Sequence, residues 1–270
     1  MSDILPTAQF ASLVFGADAV PLGDPAEDLH EASRLYPNVA PAQLDLMLEL
    51  DTSPGLQQTV ARASKGQRHR PGVDLPRATT LRARFGAVTR RRVSSKAATA
   101  RPLRIADLAA LLDTSYSATI RPGVGWRRPV PSAGALYPLE LYVIPLAVQE
   151  LDRRAYHYHP FDRRLEALGR VDASRIRSAL VDPSPIETAS AIIVITAMFW
   201  RSRCKYGARG YRFALLEAGH VAQNLTLAAA AVGLSVLPVG GFYDRTIDAL
   251  VGADSLDEAS VYVLVVGEAA

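Results

Sequence analysis

A chain of 270 residues, 49% hydrophobic and 21% charged, can bury a sizeable core, which excludes wholesale disorder. Its net charge of +3 sits on arginines scattered among acids, apart from Arg90, Arg91 and Arg92, and no aromatic-interleaved basic stripe accompanies them, which argues against nucleic acid. Cys204 is alone, no basic-then-apolar leader opens the chain and no apolar run reaches membrane length, so the expectation is a soluble cytoplasmic protein without disulfides or a metal site.

Residues 1–86 are broken repeatedly by proline and glycine, among them Pro21, Gly23, Pro37, Pro54, Gly55 and Pro76. They read as an amino-terminal extension, a candidate peptide-docking or accessory segment, ahead of a domain over 87–270. Two short helices are expected in it, over 28–35 and 41–50. Pro41 suits a first helical turn, and Leu44, Met47 and Leu48 fall on one face. The polar stretch 63–76 reads as a loop.

From Leu81 the patterns become regular. Residues 105–112 form a short amphipathic helix, 139–144 and 155–158 read as strands, and 165–168 returns as a hairpin. Residues 171–180 are helical. The continuous apolar, β-branched run 191–199 is typical of a strand buried on both faces. The longest helix is expected over 212–234, with an alanine-rich second half that lets another helix approach closely. A glycine-bearing loop over 237–242 and a last strand over 260–266 complete the pattern, which indicates an α/β or α+β sheet.

Four short constellations carry chemistry. In Arg92-Val93-Ser94-Ser95-Lys96 a guanidinium, a hydroxyl and an ammonium alternate, so an extended segment projects them to one side. That set suits an anion with several oxygens, although five such residues alone read as a solvated basic loop. In Pro131-Ser132-Ala133-Gly134 a fixed backbone with little side-chain bulk would let a flat ring lie against main-chain atoms; a tight turn is the plainer reading. Lys205 and Tyr206 follow the hydrophobic strand and are both weak acids that burial can retune for proton transfer. The stretch from Pro238 through Gly240 and Gly241 is too short for a phosphate-binding fingerprint and reads as a turn. His157 and His159 share a strand face without further ligands and read as surface or edge residues. His220, one turn after Glu217, reads as a helix–helix contact.

In order, these pieces resemble one family. Arg-x-Ser-x-Lys, Pro-Ser-Ala-Gly-Ala-Leu-Tyr-Pro, Lys-Tyr-Gly, Glu-Ala-Gly-His-x-x-Gln-Asn-Leu and Pro-x-Gly-Gly-Phe together look like the FMN nitroreductase superfamily, and more closely its streptolysin-synthetase (SagB-like) azoline dehydrogenase branch. The similarity runs over 89–267, with His30-Glu31-Ala32-Ser33 and Leu75-Pro76 resembling short stretches ahead of that domain.

The resemblance implies an α+β, nitroreductase-like fold, with a mostly antiparallel sheet flanked by helices and a homodimer built on the long central helix. By position, it implies that Arg92 and Ser94 hold the FMN phosphate and ribityl chain and that Lys96 lies near the flavin pyrimidine edge. Pro131, Ser132 and Gly134 would pack on the flavin from the partner subunit, with Pro238, Gly240 and Gly241 lining its other side. Lys205 and Tyr206 match the pair that removes a proton in that branch, with Lys205 as base if burial lowers its pKa.

The implied activity is oxidation of thiazoline or oxazoline rings in a ribosomally made peptide, with hydride passing to flavin N5 and cyclodehydratase subunits as further partners. An NAD(P)H-dependent nitro- or quinone reductase and a non-catalytic scaffold subunit are the alternatives. Ala135 stands where simple reductases carry asparagine, and Gly240 where they carry glutamate. The carboxyl terminus lacks their basic phosphate grip, with Arg128 or Arg212 as substitutes.

Overall fold

The computed structural model describes residues 25–37, 44–66, 69–77, 81–97 and 101–269. In chain order these form α1 (Pro25–Ala32), α2 (Leu44–Thr52), α3 (Pro54–Ala61), β1 (Gly72–Asp74), α4 (Phe85–Arg91), α5 (Ile105–Tyr116), β2 (Thr119–Arg121) and β3 (Gly125–Arg127). There follow β4 (Leu139–Pro145), β5 (Arg154–His159), β6 (Arg164–Arg170), α6 (Ala173–Ser178), β7 (Ala191–Met198), α7 (Phe199–Tyr206), α8 (Arg209–Ala231), β8 (Leu234–Val239), α9 (Asp244–Val251) and β9 (Glu258–Glu268).

Seven strands make one sheet in the order β1-β6-β5-β4-β7-β9-β8, with every neighbouring pair antiparallel. β2 and β3 form a separate hairpin. Alternation assigns the two faces. Leu141 and Val143 of β4, Ile193 and Ile195 of β7 and Leu264 and Val266 of β9 share one core with α5 and α8. Tyr142, Ile144, Ile192, Val194, Val263 and Val265 share a second core with α6 and α9. Because both faces are covered, β7 is apolar except for Thr196, whose hydroxyl donates to Glu258 at 2.6 Å. This is the expected α+β architecture with a mostly antiparallel sheet.

Some local expectations are corrected. Leu237, Pro238 and Val239, expected in a loop, pair with Val265, Leu264 and Val263 as the end of β8. Pro238 is tolerated there because β8 is the sheet edge. The expected loop 63–76 contains β1, which pairs with β6 at the opposite edge. The expected helix start at Pro41 lies outside the described residues. α3 was not expected, although Ser53 caps it by accepting from the Leu56 N–H at 3.3 Å and Pro54 opens it.

Residues ahead of position 87 are bound to the rest of the chain by polar contacts. Arg209 donates to the Ser33 carbonyl at 3.1 Å and Arg212 contacts His30 at 2.6 Å. Gln58 Oε1 accepts from the Trp126 N–H at 3.1 Å, and Lys65 Nζ pairs with Glu258 at 2.6 Å.

His157 corrects another reading. It is fully buried, with Nε2 2.8 Å from Glu140 and Nδ1 2.9 Å from Glu166, and His159 is also buried. The strand's own sequence conceals this, since only the tertiary contacts supply the two carboxylates. Burial works against the imidazolium, but the hydrogen bonds and charges of Glu140 and Glu166 hold its pKa up to about 9. The unfolded value is near 6.5. A raised folded pKa means that this contribution to stability is complete below about 6.5 and is lost as pH rises through about 9. Urea midpoints should therefore fall across that window, and the fall should flatten in His157→Gln; equal slopes in both proteins would remove His157 as its cause.

Candidate active site

The sequence-predicted residues gather into two groups. In the first, Arg92 Nη1 donates to Ser94 Oγ at 3.2 Å, just beyond the end of α4. Lys96 Nζ turns to Ser184 Oγ at 2.6 Å and Asp182 at 3.6 Å. That turn begins at Val181, whose N–H donates to the Gly241 carbonyl at 2.9 Å. Lys96 and the glycine pair after β8 therefore border one region. Gly240 is exposed, and a Cβ there would meet nothing within 4 Å, which leaves a bare main-chain surface.

In the second group the loop 131–134 lies against Lys205 and Tyr206. Gly134 has φ +62°, and a Cβ there would stand 2.8 Å from Tyr206 Oη and 3.5 Å from Lys205 Cδ. Glycine is required twice over, by the left-handed backbone and by the close approach. Ser132 Oγ accepts from the Tyr137 N–H at 2.9 Å, which folds the loop back on itself. Lys205 and Tyr206 end α7, and α7 turns tightly onto α8 at Gly210, where a Cβ would be 2.6 Å from the Ser202 carbonyl carbon. No hydrogen bond, ion pair or ring contact among the described residues joins the two groups.

Lys205 lines a cavity of about 290 Å³ with Leu50, Asp51, Gln57, Val60, Arg127, Gly134 and Ala135. A second, largely apolar cavity of about 460 Å³ shares Leu50 and Val60 with it and is lined further by Leu136, Met198, Trp200 and Cys204. Helices α2 and α3 of the extension thus wall both. The Lys205 side chain is 5% exposed and its Nζ lies 2.5 Å from Asp51 Oδ1. Burial presses the ammonium to lose its proton, but the Asp51 carboxylate and the Tyr206 phenol outweigh it and the pKa is raised. The expectation that burial would lower it is corrected, because an acid from the extension compensates the charge.

Two further residues escaped sequence reasoning. Asp51 lies in a segment where nothing marks it. The helix–helix contact expected of His220 is made by Glu217, which is buried and accepts from Tyr116 Oη of α5 at 3.1 Å, while His220 is exposed. Burial pushes the Glu217 pKa up to about 7, against the pull of Ser132 and Arg128. Its spacing to Ala214, Ala218 and Val221 does place it on the inner face of α8, a legible signal. Of the substitutes for a phosphate grip, Arg212 contacts His30, whereas Arg128 keeps its buried Nε and Nη1 without a hydrogen-bond partner among the described residues. Arg128 is buried over the rings of Tyr116 and Tyr137, 4.3 and 4.8 Å from their centroids, and donates to the Ala63 carbonyl at 2.8 Å. Among the described residues no cluster of three or more His, Cys, Asp or Glu is placed to hold a metal, and no helix is long and apolar enough to cross a membrane.

The nitroreductase family model matches residues 89–268, which span both groups. The chain belongs to the nitroreductase family. Membership carries oxidoreductase activity as the family's chemistry, and its proteins typically bind FMN. This nitroreductase domain is 35% identical over 147 residues to a protein of Methanocaldococcus jannaschii named for the same family, covering 54% of this chain and 73% of that one. It is 30% identical over 148 residues to the microcin B17-processing protein McbC of Escherichia coli, covering 53% of this chain and 54% of McbC. The chain therefore spans about half the length of McbC. In three dimensions it is similar to the E. coli microcin synthetase McbBCD complex with truncated pro-MccB17 bound. That match has a TM-score of 0.60 and 23% identity, and covers 92% of this chain and 95% of that one.

Proposed function

We propose that this nitroreductase-family chain is an FMN-dependent dehydrogenase that oxidises thiazoline or oxazoline rings of a ribosomally made peptide to azoles. The observation that carries the reading is the buried Lys205, beside Tyr206 and against Gly134 in a cavity, because its amine, once neutral, is a proton acceptor that dehydrogenation needs and that quinone reduction by a nicotinamide does not use. The similarity to proteins named for processing microcin B17 and, at 27% identity over 39% of its length, trifolitoxin supports it.

The first group suits FMN by its donor chemistry. A guanidinium joined to a hydroxyl meets a phosphate's geometry, an ammonium lies near a bare glycine surface, and all of these side chains are at least partly exposed. Arg92 and Ser94 would hold the phosphate and ribityl chain and Lys96 the pyrimidine edge, with Pro238, Gly240 and Gly241 beside the ring. Pro131, Ser132 and Gly134 would come from the partner subunit of a homodimer, for which α8 offers the exposed Leu215 and Leu216. FMN, when bound, supplies the hydride acceptor at N5.

Aromatisation breaks two ring C–H bonds and forms one C=C bond; one hydrogen leaves as hydride and the other as a proton. The proton passes to Lys205 Nζ in its neutral form, with Tyr206 positioning or assisting. The second cavity receives the neighbouring part of the peptide. Cyclodehydratase subunits are the proposed partners and the cytoplasm the proposed compartment.

Purified protein should be yellow, release FMN on denaturation, run as a dimer and remove two hydrogens per ring from an azoline peptide in air. A colourless monomer that cannot be reconstituted with FMN would sink the reading. Arg92→Ala should weaken FMN retention by roughly 1.5–3 kcal/mol, because the phosphate loses a charge-assisted partner. Equilibrium dialysis reads this, and undiminished binding would show that the phosphate lies elsewhere.

A further inference from the structure

We infer that Asp51, carried on α2 outside the matched family domain, is a positioning residue that holds Lys205 in a closed ion pair until entering substrate parts the two. The inference rests on the dehydrogenase reading, since a latch on a base matters only where a base acts. Three geometric facts carry it. Lys205 is almost wholly enclosed, whereas the Asp51 side chain is 62% exposed, so the pair spans the cavity mouth with the lysine inside and the acid in water. Asp51 is the one carboxylate in contact with Lys205 among the described residues. Finally, Leu50 and Val60, from the same two helices, wall both cavities, so a peptide reaching Lys205 passes the element that carries Asp51.

The other groups facing Lys205 do not replace this counter-charge. Arg127 of β3 lines the same cavity and is a cation, and Gln57, Gly134 and Ala135 carry no charge. On its own helix, Tyr206 and the Cys204 thiol are neutral in their ordinary forms, and burial pushes the thiol pKa up. With the pair closed, Lys205 already bears the proton it would have to accept. Displacing Asp51 removes the opposite charge, leaves an enclosed ammonium beside Arg127 and favours the neutral amine. The base is then armed only when substrate occupies the mouth. Nothing in the sequence of 44–52 marks Asp51 for this; the packing of α2 on α7 does.

The chain has three lysines, Lys65, Lys96 and Lys205, which makes a direct test practicable. Carbon-13 lysine labelling of the FMN-loaded full chain gives three side-chain signals, and Lys205→Arg identifies one. In Asp51→Asn, nearly isosteric and exposed, the Lys205 titration should move to lower pH. The pH limb of kcat/KM for an azoline peptide should move with it, and turnover at neutral pH should rise by about tenfold per pH unit of displacement. Asp51→Glu, which keeps the charge, should stay near wild type. An unmoved Lys205 titration in Asp51→Asn overturns the inference, as does a lowered titration with slower azole formation at every pH, which would make Asp51 a required partner and no latch. A wild-type protein that holds FMN but aromatises no azoline overturns the dehydrogenase reading instead, and the lysine titration, which needs no turnover, still decides the ion pair.

Discussion

Lys205→Ala is expected to keep its fold and its FMN while forming azoles about two to four orders of magnitude more slowly, the usual contribution of a positioned general base. Retention of the fold follows from the surroundings of the side chain. Truncation strands no buried anion, because Asp51 is mostly exposed and regains water. Retention of FMN follows because no described polar or ring contact joins Lys205 to Arg92, Ser94, Lys96 or the glycine pair, and because Gly134, the flavin-packing residue beside the Lys205 side chain, presents main-chain atoms that the truncation leaves in place. Tyr206→Phe should fall less, because the ring keeps its edge-on packing against Phe213, 5.0 Å away, and loses only the hydroxyl beside Gly134. Mass spectrometry of an azoline peptide incubated with each FMN-loaded variant measures both. Aromatisation at the wild-type rate by Lys205→Ala would remove Lys205 as the base and strengthen the case for a reductase.

Glu140→Ala should destabilise the chain by about 3–5 kcal/mol, the loss that follows when one partner leaves a buried ionic network. Glu140 is buried at the start of β4, and three donors converge on it. Arg201 Nη2 lies at 2.7 Å, His157 Nε2 at 2.8 Å and the Lys65 N–H at 2.8 Å. Burial alone would raise its pKa; Arg201 and His157 overcome this and hold it near 2. Removing the carboxylate leaves a guanidinium and an imidazole inside the protein with reduced compensation. The network also reaches the site, because Arg201 stands one turn before Lys205 on α7 and donates to the Tyr137 carbonyl at 3.3 Å. Urea denaturation should show the loss, and azole formation should weaken as α7 loses its anchor. A change below about 1 kcal/mol would mean that the three donors find other partners.

Elements whose burial is periodic are legible in the order of residues alone. The run 191–199 needs both faces covered, and it is the central strand β7; the alanine-rich pattern from Arg212 requires a close neighbour, and α8 packs on α5 and the sheet. Short motifs in order were enough to indicate the family, because Gly134 and the Arg92–Ser94–Lys96 alternation impose local backbone and charge requirements that few other residues meet. The α3 cap at Ser53 and the inward spacing of Glu217 are also legible in the sequence.

How distant charges meet is set by packing. His157 looks like an edge residue until Glu140 and Glu166 arrive from other strands, and Lys205 looks like a lysine whose pKa burial lowers until Asp51 arrives from α2. Periodicity reports the transfer of apolar side chains from water, a property each residue carries along its own element. The state of a buried charge depends on which opposite charge lies within a few ångströms, and Lys205 and Asp51 are separated by 154 residues of chain.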